Sequence, residues 1–297
     1  MISNTEDQRS NRFAADRLEH SYSNPKSLAE LALTALAFIL LGIALLPLLL
    51  VISYVTFKGA SQFSLSLFTE TPPTALQKGG GIGSAILGTL MLLGIASVIS
   101  IPFGILAALY LSEFSSGKIA PWVRFATNVL SGVPSIIIGI FAYGVLVITM
   151  GHFSALAGGF ALGILMLPIV VRTADEALQL VPQEVRWASV GVGASRYQTV
   201  LQIVLPAALP SILTGTTLAI ARAAGETAPL IFTVLFNYYW PHSIFQPVPA
   251  LSVLIYDFAS VPYEHQQQIA WAASLVLVLL ILITSIISRL ATRRRIY

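Results

Sequence analysis

The sequence predicts an all-α integral membrane protein with six transmembrane helices. Of its 297 residues, 56% are hydrophobic and only 10% are charged, and the mean hydropathy is +0.82. Soluble domains contain about 25% charged residues, so this chain has too little polar surface to coat a globule in water. Several apolar runs reach the roughly 20 residues that a membrane crossing requires. Basic residues are concentrated in alternate loops between these runs, which is typical of multi-pass membrane proteins.

The elements follow in order along the chain. Residues 1–27 are polar and mixed in charge, without an apolar core beside a cleavage site, which predicts a retained cytoplasmic tail. A first transmembrane helix is predicted at 28–57, followed by a core domain at 83–290 with five further spans. These spans are predicted at 83–111, 125–150, 153–172, 207–236 and 266–289. Gly151 and His152 alone separate two of them, which indicates a tight helical hairpin, and residues 291–297 form a basic tail.

The charges of the loops predict the orientation. With six spans, both termini and the loops near 112–124 and 172–206 share one side of the membrane. That side carries Arg9, Arg12, Arg17, Lys26, Lys118, Arg124, Arg172, Arg186, Arg196, Arg289, Arg293, Arg294 and Arg295, and the other side carries Lys58 and Lys78. Because Lys and Arg accumulate in cytoplasmic loops, both termini are expected in the cytoplasm.

The cytoplasmic loop 173–206 has the pattern of two helices joined by a glycine turn. Pro182 suits a helix start, and Glu184 lies in the first turn, where the helix dipole favours a carboxylate. Gly191 and Gly193 supply a stop, and Ser195 with Gln198 forms a capping box for the second helix. A stripe of small and apolar residues marks one face of the first helix, comprising Val185, Ala188, Ser189 and Val192 beside Trp187. These residues fit either packing against the bundle itself or docking of a cytoplasmic partner.

The spacing of this loop resembles the EAA loop of bacterial ABC importer permeases. The matching positions are Trp187, Ala188, Ser189, Gly193, Ile203, Leu205 and Pro206. The resemblance implies that the loop couples to a separate ATPase, in whose cleft its first helix sits. Trp187 stands where the family has Glu, and Ser189 stands where it has its second Ala. Glu184 and Arg186 are therefore the candidates for the polar contact with the ATPase.

Longer strings resemble the phosphate-specific ABC permeases, and among these the A subunit of the permease heterodimer. They are GIGSAILGTL (81–90), GVPSIIIGIFAYG (132–144), LPAALPSILTGTTLAIARAAGETAPL (205–230) and ALSVLIYDF (250–258). The resemblance implies the type I ABC importer permease fold and import of inorganic phosphate. It also implies a second, PstC-like permease subunit, a dimer of ATPase subunits and a periplasmic phosphate-binding protein. No cofactor is expected on this chain, with ATP and Mg bound by the partner ATPase.

Two ionisable residues lie inside the fifth predicted span, in LAIARAAGETAPL (218–230). An ionised side chain at mid-membrane costs about 2.5–3.5 kcal/mol, so such residues usually face the bundle interior and are paired. Arg222 and Glu226 share one helix face at a spacing of four residues. Pro229 removes a backbone donor and weakens the helix beside them. Either the pair lies on an anion path, with Glu226 as the resting counter-ion, or it is a structural ion pair.

The remaining patterns argue against other functions. The chain has no cysteine, no H-E-x-x-H and no Walker sequence, and KGGGIGS (78–84) fits a turn better than an anion cradle. No serine, histidine and aspartate arrangement suggests an enzyme, and the basic charge fits membrane orientation better than nucleic-acid binding. Two alternatives stay open. One is an ABC permease for another oxyanion such as sulfate or molybdate, and the other is a proton-coupled secondary anion transporter in which Glu226 titrates.

Overall fold

The computed structural model describes residues 25–115, 117 and 119–293. Within these ranges the chain is helical or irregular, with no β-strand. Most of the predicted N-terminal tail and part of the basic C-terminal tail lie outside the described residues. The described chain falls into two compact units that divide between Tyr54 and Val55.

The first unit contains the N-terminal part of helix α1 (Pro25–Ala60). The stretch Ala29–Ala60 of this helix is long and apolar enough to cross a membrane. The second unit begins at Val55 and contains the end of α1 and every element described below. Its helices are α2 (Leu65–Thr69), α3 (Gly83–Phe114), α4 (Ile119–Ser131), α5 (Ser135–Met150), α6 (Ala155–Gln179), α7 (Gln183–Gly191), α8 (Arg196–Ala224), α9 (Ala228–Thr233), α10 (Leu251–Ser260) and α11 (Glu264–Arg293).

Five of these helices qualify as single membrane spans, namely α1, α3, α6, α8 and α11. A sixth candidate span is the pair α4 and α5, which is bent by 99°. The sequence predicts one continuous helix at 125–150, and the structure differs here because the helix breaks at 132–134. Pro134 disfavours helical backbone at Val133, and Gly132 tolerates a helix end. The two pieces therefore meet at an angle, and the pair has the geometry of either a broken sixth span or a re-entrant loop.

A second predicted span, 207–236, is also interrupted. Helix α8 ends at Ala224 with Gly225 as its C-cap, and α9 begins at Ala228 with Pro229 in its first turn. Proline is favoured at a helix start and unfavourable in a helix interior, so Pro229 starts a new helix and does not continue α8. The short segment 225–227, which we call the α8–α9 break, adjoins both ionisable residues that the sequence singles out.

Helix α6 is the centre of the bundle. Its buried side chains include Leu162, Met166 and Val170, and it packs against α3 and α8. Small residues bring the neighbouring helices close, as is usual between membrane helices. A Cβ atom at Gly104 of α3 would lie 2.7 Å from Val170, and one at Gly215 of α8 would overlap the side chain of Thr173. The hairpin between α5 and α6 turns at Gly151, whose φ of +75° suits glycine.

The segment after α9 returns to the bundle and completes its packing. Carbonyl groups of Thr233, Ile244 and Gln246 accept hydrogen bonds from the first amides of α6, which satisfies donors that a helix start leaves free. The ten-residue α10 is too short to cross a membrane. Its residues Leu251, Leu254 and Phe258 are buried in a cluster with residues of α3 and α11. This loop segment therefore belongs to the packed core.

Candidate functional site

The first part of the candidate site is the ion pair at the end of α8. Arg222 lies in the last turn of α8, and its Nε atom is 3.7 Å from Oε1 of Glu226. The Arg222 side chain is 55% exposed and that of Glu226 is 19% exposed. Within the described ranges we find no closer polar partner for the Arg222 guanidinium. The pair is loose, and more than half of the Arg222 side chain is exposed on the surface of this chain.

The α8–α9 break holds this pair in place. The amides of Gly225 and Glu226 donate to carbonyls three residues back, at Arg222 and Ala223, so the last turn of α8 tightens as it ends. Ser252 of α10 donates to the carbonyl of Glu226, at 2.9 Å. Thr227 in turn donates to the carbonyl of Ser252, at 3.4 Å. The backbone beside the pair is thus irregular, yet its polar groups have partners on α10.

Helix α9 is fixed from the opposite side by α5. A Cβ atom at Gly139 would lie 2.6 Å from Cα of Pro229, so only glycine permits this approach without a shift. The sequence identifies Pro229 as a weak point in the helix. The structure adds that the proline begins α9 and is buried against α5. The break therefore lies between two firmly packed elements.

The chemistry of the pair suits an anion. An arginine guanidinium stays protonated and presents planar, paired donors that match two oxygens of an oxyanion. Glu226 partly neutralises Arg222 in the absence of an anion. A carboxylate at this distance also disfavours long residence of an anion on Arg222. The arrangement is therefore suited to brief contact with an anion and less suited to tight binding.

The second part of the candidate site is the segment from Pro182 to Pro206, which we call the coupling segment. Helix α7 starts after Pro182 and is followed by Gly193 with a φ of +91°. Ser195 accepts from the amide of Gln198, whose side chain accepts from the Ser195 amide. The predicted capping box is confirmed. The helix, glycine turn and second helix form as the residue pattern indicates.

The predicted coupling residues fall on two sides of this segment. Glu184, Trp187 and Ala188 are exposed, with Trp187 at 69%. Arg186 and Ser189 face the bundle, where the Ser189 hydroxyl is 2.9 Å from that of Thr199. The remaining positions lie in or after the turn: Gly193 and Pro206 are exposed, and Ile203 and Leu205 are partly buried. The outer side of α7 thus presents an exposed aromatic side chain and an exposed carboxylate.

The sequence does not identify the partners of the inward-facing arginines. Arg186 forms an ion pair with Glu113 at the end of α3, with 2.8 Å between its Nη2 and Oε1 of Glu113. Arg124 of α4 binds both carboxylate oxygens of Asp175 on α6, at 2.7 and 3.0 Å. Neither pair has a recognisable sequence spacing. In each case the sequence shows an isolated charged residue near the end of an apolar run, which indicates that a partner is needed but not which residue it is.

The other candidate patterns carry no site. In the glycine-rich turn 78–84, the amides of Gly80, Gly81 and Gly83 donate to the Glu70 carboxylate and to the carbonyls of Thr71 and Glu70. They are therefore occupied, as the predicted turn requires. Among the described residues, no group of three or more His, Asp or Glu side chains is placed to hold a metal ion.

Comparison with known proteins gives three kinds of match. The family model for the binding-protein-dependent transport system inner membrane component matches residues 100–297. The phosphate transport system permease protein PstA of Xylella fastidiosa is 42% identical over 234 residues, which are 78% of this chain and 81% of that protein. The protein of the same name from Pasteurella multocida is 34% identical over 274 residues, or 92% of this chain and 98% of that one.

One solved structure shares the fold over nearly the whole chain. It is the bacterial alginate ABC transporter in complex with an alginate pentasaccharide-bound periplasmic protein. The TM-score is 0.63 at 16% identity, and the match covers 93% of this chain and 98% of that one. At this identity the likeness concerns the fold alone.

Proposed function

The chain belongs to the family of binding-protein-dependent transport system inner membrane components, and on that premise we propose how it works. It is the permease subunit of an ATP-driven ABC importer for inorganic phosphate, and it has the type I ABC importer permease fold. It is a transport subunit and not an enzyme. The observation that carries the mechanism is the Arg222–Glu226 pair at the α8–α9 break.

In this mechanism Arg222 contacts the phosphate anion as it crosses. The open donors of the guanidinium bind two phosphate oxygens, and Glu226 is displaced from Arg222 while the anion is present. When the anion leaves, Glu226 returns as the counter-ion, so the empty path does not hold an unpaired charge. The irregular backbone of residues 225–227 allows the end of α8 to shift against α9 without breaking a continuous helix.

The partners supply energy and substrate. A dimer of ATPase subunits binds ATP and Mg, and this chain binds no cofactor itself. The exposed side of α7, with Trp187 and Glu184, enters a cleft on the ATPase. A second, PstC-like permease subunit forms the other half of the path, and a periplasmic phosphate-binding protein delivers the anion. Nucleic acid has no part in this assembly.

The protein is a multi-pass protein of the bacterial inner membrane. We place both termini in the cytoplasm, together with the coupling segment. The support is the charge of the loops, since thirteen of the Lys and Arg residues fall on that side and only Lys58 and Lys78 on the other. Positive charge in short loops is retained on the cytoplasmic side.

The test is phosphate uptake by the complete complex in proteoliposomes. The complex contains this chain, the second permease, the ATPase and the binding protein, and it is compared with variants Arg222→Gln and Arg222→Lys. We expect Arg222→Gln to abolish ATP-dependent uptake while ATPase subunits still co-purify. Arg222→Lys keeps the charge but loses the planar fork, so it should retain a reduced rate. Arg172→Gln, which removes the exposed arginine of an i,i+4 pair with Glu176 on α6, is the matched control and should transport normally.

The outcomes separate the alternatives. Normal uptake in Arg222→Gln would make the pair structural. If the wild-type complex takes up sulfate or molybdate and not phosphate, the assignment of the anion is wrong while the class stands. Uptake driven by a proton gradient with no ATPase present would instead identify a secondary transporter.

A further inference from the structure

Helix α3 ends in a tightly held, negatively charged turn. Its last residues, Tyr110–Phe114, form a π-helical turn, and Glu113 is 9% exposed within it. The carbonyl end of a helix already carries partial negative charge and favours nearby cations. A buried carboxylate at this end adds to the charge and requires a partner. The end of α3 is therefore a strong site for an arginine.

Arg186 of α7 occupies this site with its whole guanidinium group. Its Nη2 and Nε atoms contact the two carboxylate oxygens of Glu113, at 2.8 and 3.3 Å. The same group donates to the carbonyl of Leu178 in the last turn of α6, at 2.9 Å, and to the carbonyl of Val181 just after that helix. With 14% of its side chain exposed, Arg186 is committed to these contacts. A single side chain thus ties α7 to the ends of α3 and α6.

A second arginine, which follows Gly193 in the chain, contacts the same turn at the end of α3. Arg196, the first residue of α8, donates to the backbone carbonyl of Glu113. Its guanidinium carbon also lies 5.4 Å from the centre of the Phe114 ring, within the range of a cation–π contact. The coupling segment therefore holds the end of α3 with both of its helices.

The two helices of the coupling segment are bonded to each other and form one packed unit. Ser189 of α7 contacts Thr199 of α8 through their hydroxyls, and both side chains are buried. The capping box at Ser195 fixes the start of α8. Arg186 and Arg196 therefore belong to two helices that are bonded to each other.

Helix α3 connects the coupling segment with the candidate anion site. At its opposite end, Thr89 accepts a hydrogen bond of 2.9 Å from the amide of Leu251, the first residue of α10. The next residue, Ser252, holds the carbonyl of Glu226. A continuous set of packed elements thus runs from the coupling segment through α3 and α10 to the α8–α9 break.

We propose that Glu113 is a positioning residue that latches the coupling segment to α3 and so converts movement of α7 into movement of the bundle. This proposal rests on the proposed function, because it concerns how ATP hydrolysis on a partner is coupled to transport. This Glu113–Arg186 pair, which we call the latch, touches neither substrate nor nucleotide. Its loss should therefore leave ATP hydrolysis in place and reduce the transport that each hydrolysis event drives.

The test uses the complete complex in proteoliposomes, with phosphate uptake and ATP hydrolysis measured in the same vesicles. Glu113→Gln keeps the shape of the side chain and removes its charge. Arg186→Lys keeps a positive charge but cannot bind both carboxylate oxygens and two carbonyls at once. We expect each variant to lower phosphate transported per ATP hydrolysed about 5-fold or more, a typical size for coupling between distant sites. Because both changes disrupt the Glu113–Arg186 pair, their effects should not add in the double variant, which should be little worse than Arg186→Lys alone.

Glu264→Gln, an exposed carboxylate at the start of α11, is the control and should leave the ratio unchanged. A merely structural role for Glu113 would reduce the amount of assembled complex without changing the ratio per complex. An unchanged ratio in Glu113→Gln and Arg186→Lys, at any level of assembly, would overturn the latch while leaving the proposed function intact. A wild-type complex without ATP-dependent phosphate uptake would overturn both.

Discussion

Ser252 donates a hydrogen bond of 2.9 Å from its hydroxyl to the carbonyl oxygen of Glu226. The bond joins α10 to the point where α8 has just ended, directly beside the Arg222–Glu226 pair. Ser252 is buried, and the adjacent amide of Leu251 is bound to Thr89 of α3. The break in the helix is therefore stabilised by a neighbouring element, and the position of Glu226 depends on α10.

The first prediction concerns Ser252→Ala. This change leaves the Glu226 carbonyl without its donor, at a net cost of about 1 kcal/mol or somewhat more. We expect a lower melting temperature of the purified complex and a several-fold lower phosphate uptake, because the end of α8 is held less firmly. Ser260→Ala is the control, since that hydroxyl is exposed and donates to the Tyr256 carbonyl of its own helix, one turn earlier. Equal effects of the two substitutions would contradict the proposed role of Ser252.

The second prediction compares two glycines on α3. A Cβ atom at Gly88 would overlap the carbonyl oxygen of Pro249, whereas one at Gly94 would meet no atom within 4 Å. Gly88→Ala should therefore force α3 and the segment before α10 apart and destabilise the protein by about 1–3 kcal/mol. Gly94→Ala should be neutral or stabilising by up to about 1 kcal/mol, because alanine favours the helix. Thermal unfolding of both variants, measured side by side, provides the check.

The third prediction compares the two glycines that close α7. Gly193 has a φ of +91°, whereas Gly191 is the last residue of the helix and has open space around it. Gly193→Ala should cost about 1–2 kcal/mol, because an L-residue is strained in left-handed backbone. Gly191→Ala should cost nothing or stabilise α7 slightly. In the assembled complex, binding of the ATPase subunits should weaken for Gly193→Ala only, and comparable binding by both variants would show that the turn is adaptable.

The sequence locates a membrane span well where the length of an apolar run is enough to identify it. It does so less well where a helix ends inside the span. Hydropathy predicts six crossings, because there are six apolar runs of about 20 residues and a helix satisfies the backbone polar groups of such a run in lipid. A hydropathy count takes no account of backbone geometry. Pro134 after Val133 is a visible signal for the break between α4 and α5, and Pro229 is a similar signal after α8. Both appear in the sequence, but a mean hydropathy does not record that a proline ends a helix within its window.

In the candidate site, the sequence predicts contacts between residues close in the chain but not contacts between residues far apart in it. The capping box of Ser195 and Gln198 follows from a spacing of three residues, so the sequence predicts it directly. The Glu113–Arg186 pair joins residues separated by 73 positions. Its formation depends on where α3 ends relative to α7, which no local pattern encodes. The same holds for Ser252 and Glu226, whose bond requires α10 to fold back against the α8–α9 break.

The fourth prediction concerns Asp257 of α10 and the pH dependence of stability. Burial raises the pKa of the Asp257 carboxyl above its ordinary value, because low polarity disfavours the charged form. The folded protein therefore holds this proton more tightly than the unfolded chain does. Its contribution to the free energy of unfolding is fully present below the unfolded pKa of about 3.9 and is lost as the pH rises through the folded pKa.

Asp257→Asn removes this titration, since an amide does not ionise. We expect the variant to melt at a higher temperature than the wild type at neutral pH, by a small margin because the carboxyl is only partly buried. The difference should shrink as the pH falls and vanish below about pH 4, where the wild-type carboxyl is protonated in both states. Melting curves of both proteins across this range supply the measurement. A difference that stayed constant with pH, or a variant less stable at neutral pH, would mean that the ionised carboxylate is stabilised by contacts stronger than the cost of its burial.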